Sequence, residues 1–194
     1  MGYQEVYKSW QDNPEAYWLD QANAIDWVEA PTQALFEKGN GLYEWFADAK
    51  VNGCYNAVDR HVENGRADQV AIIHDSPITG TQTKITFAEL QTRVAAVAGV
   101  LRAIGVGKGD RVIIYMPMVP EALEAMLACA RIGAVHSVVF GGFAANELAV
   151  RINDCTPKAI IAASCGLEPN RIVKYKPLLD GAIEMADHKP DFCL

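Results

Sequence analysis

From Asp68 onward the chain alternates short β-branched runs with longer stretches of helical periodicity. That alternation predicts a layered α/β domain. Val70-Ala71-Ile72-Ile73 reads as a strand, residues 76–81 as the turn after it, and Lys84 and Ile85 as part of a second strand. Thr86-Phe87-Ala88-Glu89 has the form of a capping box, in which the threonine hydroxyl accepts from the amide three residues on while Glu89 reaches back. Phe87, Leu90, Val94, Val97, Leu101 and Ile104 then recur at helical spacing and give one buried stripe, which Gly105 ends. The nearly continuous hydrophobicity of residues 111–116 predicts a strand buried on both faces. Pro117 and Pro120 bracket a turn before a helix over 121–132, with Leu123, Met126, Leu127 and Ala130 as its apolar face and Gly133 as its C-cap. A strand over 135–140, a helix over 146–153, a strand over 159–162 and a last helix over 176–185 complete the series. Strand and helix in this order imply right-handed crossovers and a largely parallel sheet with flanking helices.

The first sixty residues differ. All four tryptophans, Trp10, Trp18, Trp27 and Trp45, lie there among Pro, Asn and Asp, in short amphipathic stretches that read as an irregular segment wrapping against a larger body. Gly39-Asn40-Gly41 marks a turn and not a domain linker. The predicted division is therefore 1–65, an N-terminal extension, and 66–194, an α/β domain.

Composition narrows the partners. The 194 residues are 51% hydrophobic and 21% charged, an ordinary globular balance, and carry 17 basic against 24 acidic side chains for a net charge of −7. Such a surface disfavours sequence-independent nucleic-acid binding, so a polyanionic ligand needs a local basic site. The sequence has no run of apolar residues long enough to span a membrane, and Met-Gly-Tyr-Gln-Glu has no basic region followed by an apolar core, so a cytoplasmic location is expected. Cys54, Cys129, Cys155, Cys165 and Cys193 form no Cys-x-x-Cys pair, which fits a reducing compartment. Cys129, within Leu127-Ala128-Cys129-Ala130, reads as a small buried hydrophobe, and no histidines stand at metal-ligand spacing.

In an open parallel sheet, ligands bind beyond the carboxyl ends of the strands. Three loops qualify: Pro117 to Pro120, Gly141-Gly142-Phe143, and Ser164 to Arg171. Paired glycines after a strand serve either a tight turn or close approach to a ligand. Arg171, Lys174 and Lys176 make the densest basic cluster, either a solvated face or a phosphate site. Gly105 to Asp110 superficially resembles a phosphate loop, but it follows a helix and precedes a strand, and is read as a structural turn. Asp59-Arg60-His61 is read as an ion pair or helix cap.

Trp45 to His61 (WFADAKVNGCYNAVDRH), Asp110 to Glu121 (DRVIIYMPMVPE) and Gly133 to Phe143 (GAVHSVVFGGF) resemble, in order and spacing, the AMP-forming short-chain acyl-CoA synthetases, the acetate and propionate CoA ligases. Ala163 to Pro169 with Lys174 to Leu179 is most similar to the propionate–CoA ligase branch. The resemblance implies the adenylate-forming fold, with 66–194 an incomplete AMP-binding domain, and a two-step reaction. A short carboxylate attacks the α-phosphate of Mg-ATP to give an acyl-adenylate and diphosphate, and the CoA thiol then displaces AMP. The ATP, CoA and Mg2+ it implies belong to the full-length enzyme. The family's Gly/Ser/Thr-rich phosphate loop and catalytic lysine are not found in these residues, so the resemblance implies an N-terminal portion, inactive alone, with neither catalytic residues nor a metal site of its own. It also implies that the rest of the enzyme, or self-association, is needed for stability.

Part of the CoA site does carry over: Phe140, Gly141, Gly142 and Phe143 match one loop of that site. Gly166 to Arg171 match the other, giving Gly141, Gly142, Glu168, Pro169, Asn170 and Arg171 as CoA-binding candidates. Arg171 is the implied partner of a CoA phosphate. Glu168 stands where the acetate-type pattern has arginine and Asn170 where glycine is usual, with Lys174 a candidate compensating cation. Two alternatives stay open, an acetate–CoA ligase and a non-catalytic module that binds a partner along an exposed sheet edge. A dinucleotide-binding fold is disfavoured by the lack of Gly-x-Gly-x-x-Gly after the first strand.

Overall fold

The backbone of the computed structural model, described over residues 2–194, divides between Asn52 and Gly53. The first unit is more regular than its sequence predicts. Helix α1 (Tyr3–Asp12) meets α2 (Pro14–Ala22) at Asn13, whose side chain caps α2 by accepting from the Ala16 amide at 3.0 Å while Pro14 occupies the first turn. Strand β1 (Trp27–Glu29) pairs with β4 (Lys50–Val51), and β2 (Leu35–Gly39) with β3 (Leu42–Trp45). The β2–β3 hairpin turns at Asn40-Gly41, both at positive φ, which fulfils the expected turn and makes it a hairpin. Trp18 meets Trp45 edge to face at 5.3 Å, and the Trp27 indole donates to the Ala22 carbonyl at 2.8 Å. The tryptophans thus order two helices and two strand pairs, where the sequence reading expects an irregular segment. Among the described residues of this unit, only Ala22 and Ala34 are fully buried hydrophobics, so it holds little core.

The second unit opens with a five-residue π-helical turn, Tyr55–Asp59, followed by the segment Val62–Arg66, which is kinked at Asn64 and at Gly65 with φ +78°. The hairpin β5 (Val70–Ser76) and β6 (Thr81–Thr86) follows, longer on both sides than the sequence shows. The capping box forms as expected: the Glu89 amide donates to Thr86 Oγ1, and the Thr86 amide donates to Glu89 at 2.8 Å. It opens α3 (Phe87–Ala103), which buries Leu90, Val94, Ala98 and Leu101.

Then come β7 (Arg111–Met116), α4 (Pro120–Ile132), β8 (Val135–Phe140), α5 (Ala145–Cys155) and β9 (Ala159–Ala162). The next segment, expected as a loop, is instead an antiparallel hairpin of β10 (Cys165–Glu168) and β11 (Arg171–Lys174). Helix α6 (Tyr175–Met185) and β12 (Phe192–Cys193) end the series. The parallel sheet has the order β12-β9-β7-β8, as the predicted α/β layering requires.

Strand β7 organises this unit. Val112 and Ile114 face the cluster supplied by α3 and α4, while Ile113 and Tyr115 face Leu148 and Ile152 of α5 and Leu179 and Ala182 of α6. All four β7 residues are fully buried, confirming the expectation from continuous hydrophobicity. The predicted apolar face of α4 is displaced. Glu124, Ala125, Ala128 and Cys129 are its buried residues, Leu123 is exposed, and Met126, Leu127 and Ala130 are half-buried against the same cluster. The small side chains of Ala125, Ala128 and Cys129 let the helix approach its neighbours most closely, so they, together with the ion-paired Glu124, mark the innermost stripe.

Candidate functional site

The loops after β7, β8 and β9 lie at the carboxyl end of the sheet, and one side chain ties two of them together. Tyr175, the first residue of α6, is 5% exposed and packs its ring, tilted by 41° and with centroids 5.1 Å apart, against Tyr115, near the end of β7. Its phenol fills the space beside Gly141 and Gly166. A β-carbon on Gly141 would stand 2.5 Å from the Tyr175 hydroxyl and 2.8 Å from the Met116 carbonyl, and one on Gly166 would stand 2.7 Å from Tyr175 Cζ. Both positions therefore require glycine, because real β-carbons do not approach heavy atoms so closely. Burial raises the pKa of both tyrosines, which favours their neutral form.

The far side of the glycine loop is pinned as well. Tyr115 donates its hydroxyl to the Phe143 carbonyl at 2.9 Å, and the Arg151 guanidinium lies 4.7 Å over the Phe143 ring. The Phe143 amide closes the turn on the Phe140 carbonyl at 3.3 Å. Gly142, at φ +102°, is the exposed tip of that turn, with no heavy atom within 4 Å of where a β-carbon would lie. Open space beside a rigidly held backbone is what close approach by a ligand needs.

The β10–β11 hairpin presents the other candidates. Glu168 and Arg171 are cross-strand partners flanking the exposed tip residues Pro169 and Asn170. The Arg171 guanidinium donates to the Glu168 carboxylate through Nε at 2.6 Å and Nη2 at 3.3 Å. Both side chains are well exposed, at 71% and 47%. Alternation along the pleat puts Glu168, Arg171, Gly166 and Val173 on one face and Leu167, Ile172, Cys165 and Lys174 on the other. Arg171 thus shares the face of Gly166, whereas Lys174 lies on the opposite one and does not stand beside it as a compensating cation. The basic cluster is also largely neutralised, since Arg171 pairs with Glu168 and Lys176 with Asp180.

On the other face of the hairpin, Cys165 and Leu167 border a cleft of about 640 Å3 that also runs along the β5–β6 hairpin and the loop after β7. Arg93 reaches into it, paired at 3.3 Å with Glu124, whose side chain is 7% exposed. Neither Arg93, Glu124 nor Tyr175 stands out in the sequence. The Arg93–Glu124 pair spans two helices, and a lone tyrosine at a helix start carries no periodic signal.

Two structural readings hold. Asp59 accepts from Arg131 at 2.7 and 2.8 Å and from Gln91 at 2.9 Å, an ion pair joining the π-helical segment to α4 and α3. The Gly105–Asp110 segment is a turn closed by Asp110 accepting from the Gly107 amide and by Lys158 donating to the Gly105 carbonyl at 2.6 Å.

Residues 58–190 match the family model of AMP-binding enzymes, and residues 3–57 match the model of the acetyl-coenzyme A synthetase N-terminus. The chain is 58% identical to an uncharacterised protein of Pseudomonas aeruginosa over 91% of this chain and 28% of the relative. It is 50% identical to the mitochondrial acyl-CoA synthetase short-chain family member 3 of Bos taurus over 92% of this chain and 26% of the relative. It is 44% identical to the propionate–CoA ligase of Escherichia coli over 98% of this chain and 30% of the relative. The chain thus spans between a quarter and a third of the length of these relatives.

Two outcomes follow from this geometry. Gly166→Ala forces Tyr175 to move and should lower stability by about 1–3 kcal/mol, whereas Gly99→Ala, at an exposed helical position with open space, should be neutral or stabilising. Urea titration of both variants checks the contrast. Arg171 holds the Glu168 carboxyl below its ordinary pKa, so the pair's contribution is present above that value and is lost as pH falls through the depressed one. In Arg171→Ala, carboxyl NMR should show the Glu168 titration moving up toward the ordinary carboxylate range.

Proposed function

The chain belongs to the AMP-binding enzyme family, and on that premise we propose that it is part of an ATP-dependent, AMP-forming short-chain acyl-CoA ligase whose carboxylate is propionate. In this reading the carboxylate is activated as its adenylate and the CoA thiol then displaces AMP. The role of this chain is to hold the nucleotide end of CoA. Gly141 and Gly142 offer backbone close to the ligand, while Glu168, Pro169, Asn170 and Arg171 offer the hairpin tip. The observation that carries the reading is the convergence of the glycine turn and the hairpin on Tyr175, which draws the two sequence-predicted CoA loops together on the Arg171 face.

Propionate is supported by the likeness of residues 163–169 and 174–179 to that branch and by the propionate–CoA ligase among the relatives. The match of residues 3–57 to an acetyl-coenzyme A synthetase model favours acetate as the second reading. A cytoplasmic location belongs to the same proposal, supported by five cysteines that all stand free.

Calorimetric titration with CoA tests the site. Removal of a charge-assisted contact in Arg171→Ala should weaken binding by about tenfold or more, and an unchanged affinity overturns the assignment. In the natural protein that carries this sequence, propionate-dependent AMP release should exceed acetate-dependent release at equal concentrations. The reverse order selects acetate.

A further inference from the structure

We propose that Glu168 is an affinity-setting residue, an internal anion that occupies Arg171 and competes with the phosphate of an incoming nucleotide ligand. The inference rests on the reading of the hairpin as part of a CoA site. Its ground is geometric: Glu168 and Arg171 are directly paired across β10 and β11 at a two-residue tip, and the carboxylate takes the Nε–Nη2 edge of the guanidinium. That edge is one of the bidentate faces through which arginine receives a phosphate.

A phosphate arriving at Arg171 has two routes. It displaces the carboxylate and takes the same edge, or it binds the remaining N–H groups with an anion one hydrogen bond away. Glu168 opposes both, the first by competition and the second by like-charge repulsion. Among the described residues, no neighbouring cation of the hairpin offsets this on the same face. Val173 is the next cross-strand residue there, Lys174 lies on the opposite face, and Lys176 is held by Asp180. Both partners are well exposed, so the competing interaction is weak and readily displaced. The pair is therefore suited to tuning affinity and not to blocking the site. It also keeps the hairpin tip electrically neutral without ligand.

The test is a double-mutant cycle read by calorimetric titration, with CoA, of the natural protein that carries this sequence, using wild type, Glu168→Gln, Arg171→Ala and the double variant. Glutamine keeps an oxygen that can accept from Arg171 but removes the charge. Glu168→Gln should tighten CoA binding roughly two- to fivefold, and the gain should vanish when Arg171 is also alanine. If Arg171→Ala weakens binding while Glu168→Gln leaves it unchanged or weaker, the competition is overturned and the CoA site stands. An equal gain from Glu168→Gln with and without Arg171 reveals a general field effect and also overturns it. If Arg171→Ala changes nothing, or no variant binds CoA, the CoA reading of the hairpin falls and the inference with it.

Discussion

The second unit depends at its functional end on the packing of one phenol ring against two glycines. Tyr175 packs against Tyr115 and leaves no room for a β-carbon at Gly141 or Gly166. Because Tyr115 belongs to the central strand and also holds the Phe143 carbonyl, the glycine turn, the hairpin and the sheet share one rigid joint. Close-packed interiors transmit small displacements, so a change at the joint is expected to move both loops together.

On that joint the chemistry is mostly electrostatic. A chain of net charge −7 offers little general attraction to a polyanion, and the hairpin tip adds none until Glu168 gives way. In the proposed CoA site, affinity for a phosphate-bearing ligand then comes from oriented groups, namely the Arg171 fork and the exposed backbone at Gly142. Such recognition is local and directional, which suits a small nucleotide ligand better than a polymer.

Local signals in the sequence translated well into structure. The capping box before α3 depends on residues three apart, and β7 announced its two buried faces through unbroken hydrophobicity. The hairpin at 165–174 escaped because Gly166, Pro169 and Asn170 are turn-forming residues that also punctuate loops, and its strands are only four residues each. The inner face of α4 was misplaced because Leu123, Met126 and Leu127 dominate the pattern while alanines make the closest approach. Of the candidate site, both loops were legible by resemblance. The tyrosine that joins them was not, since its partners are distant in sequence. The basic cluster was counted without its counter-ions, although Glu168 and Asp180 stand only three and four residues away from Arg171 and Lys176.

Amide hydrogen exchange with and without CoA tests the central claim most directly, since it reads both loops in one experiment. The account predicts that CoA slows exchange together at Gly142 and Phe143 and at Asn170 and Arg171, with the β5–β6 hairpin unaffected. Slowing confined to residues 79–83, on the cleft across the hairpin, would contradict it.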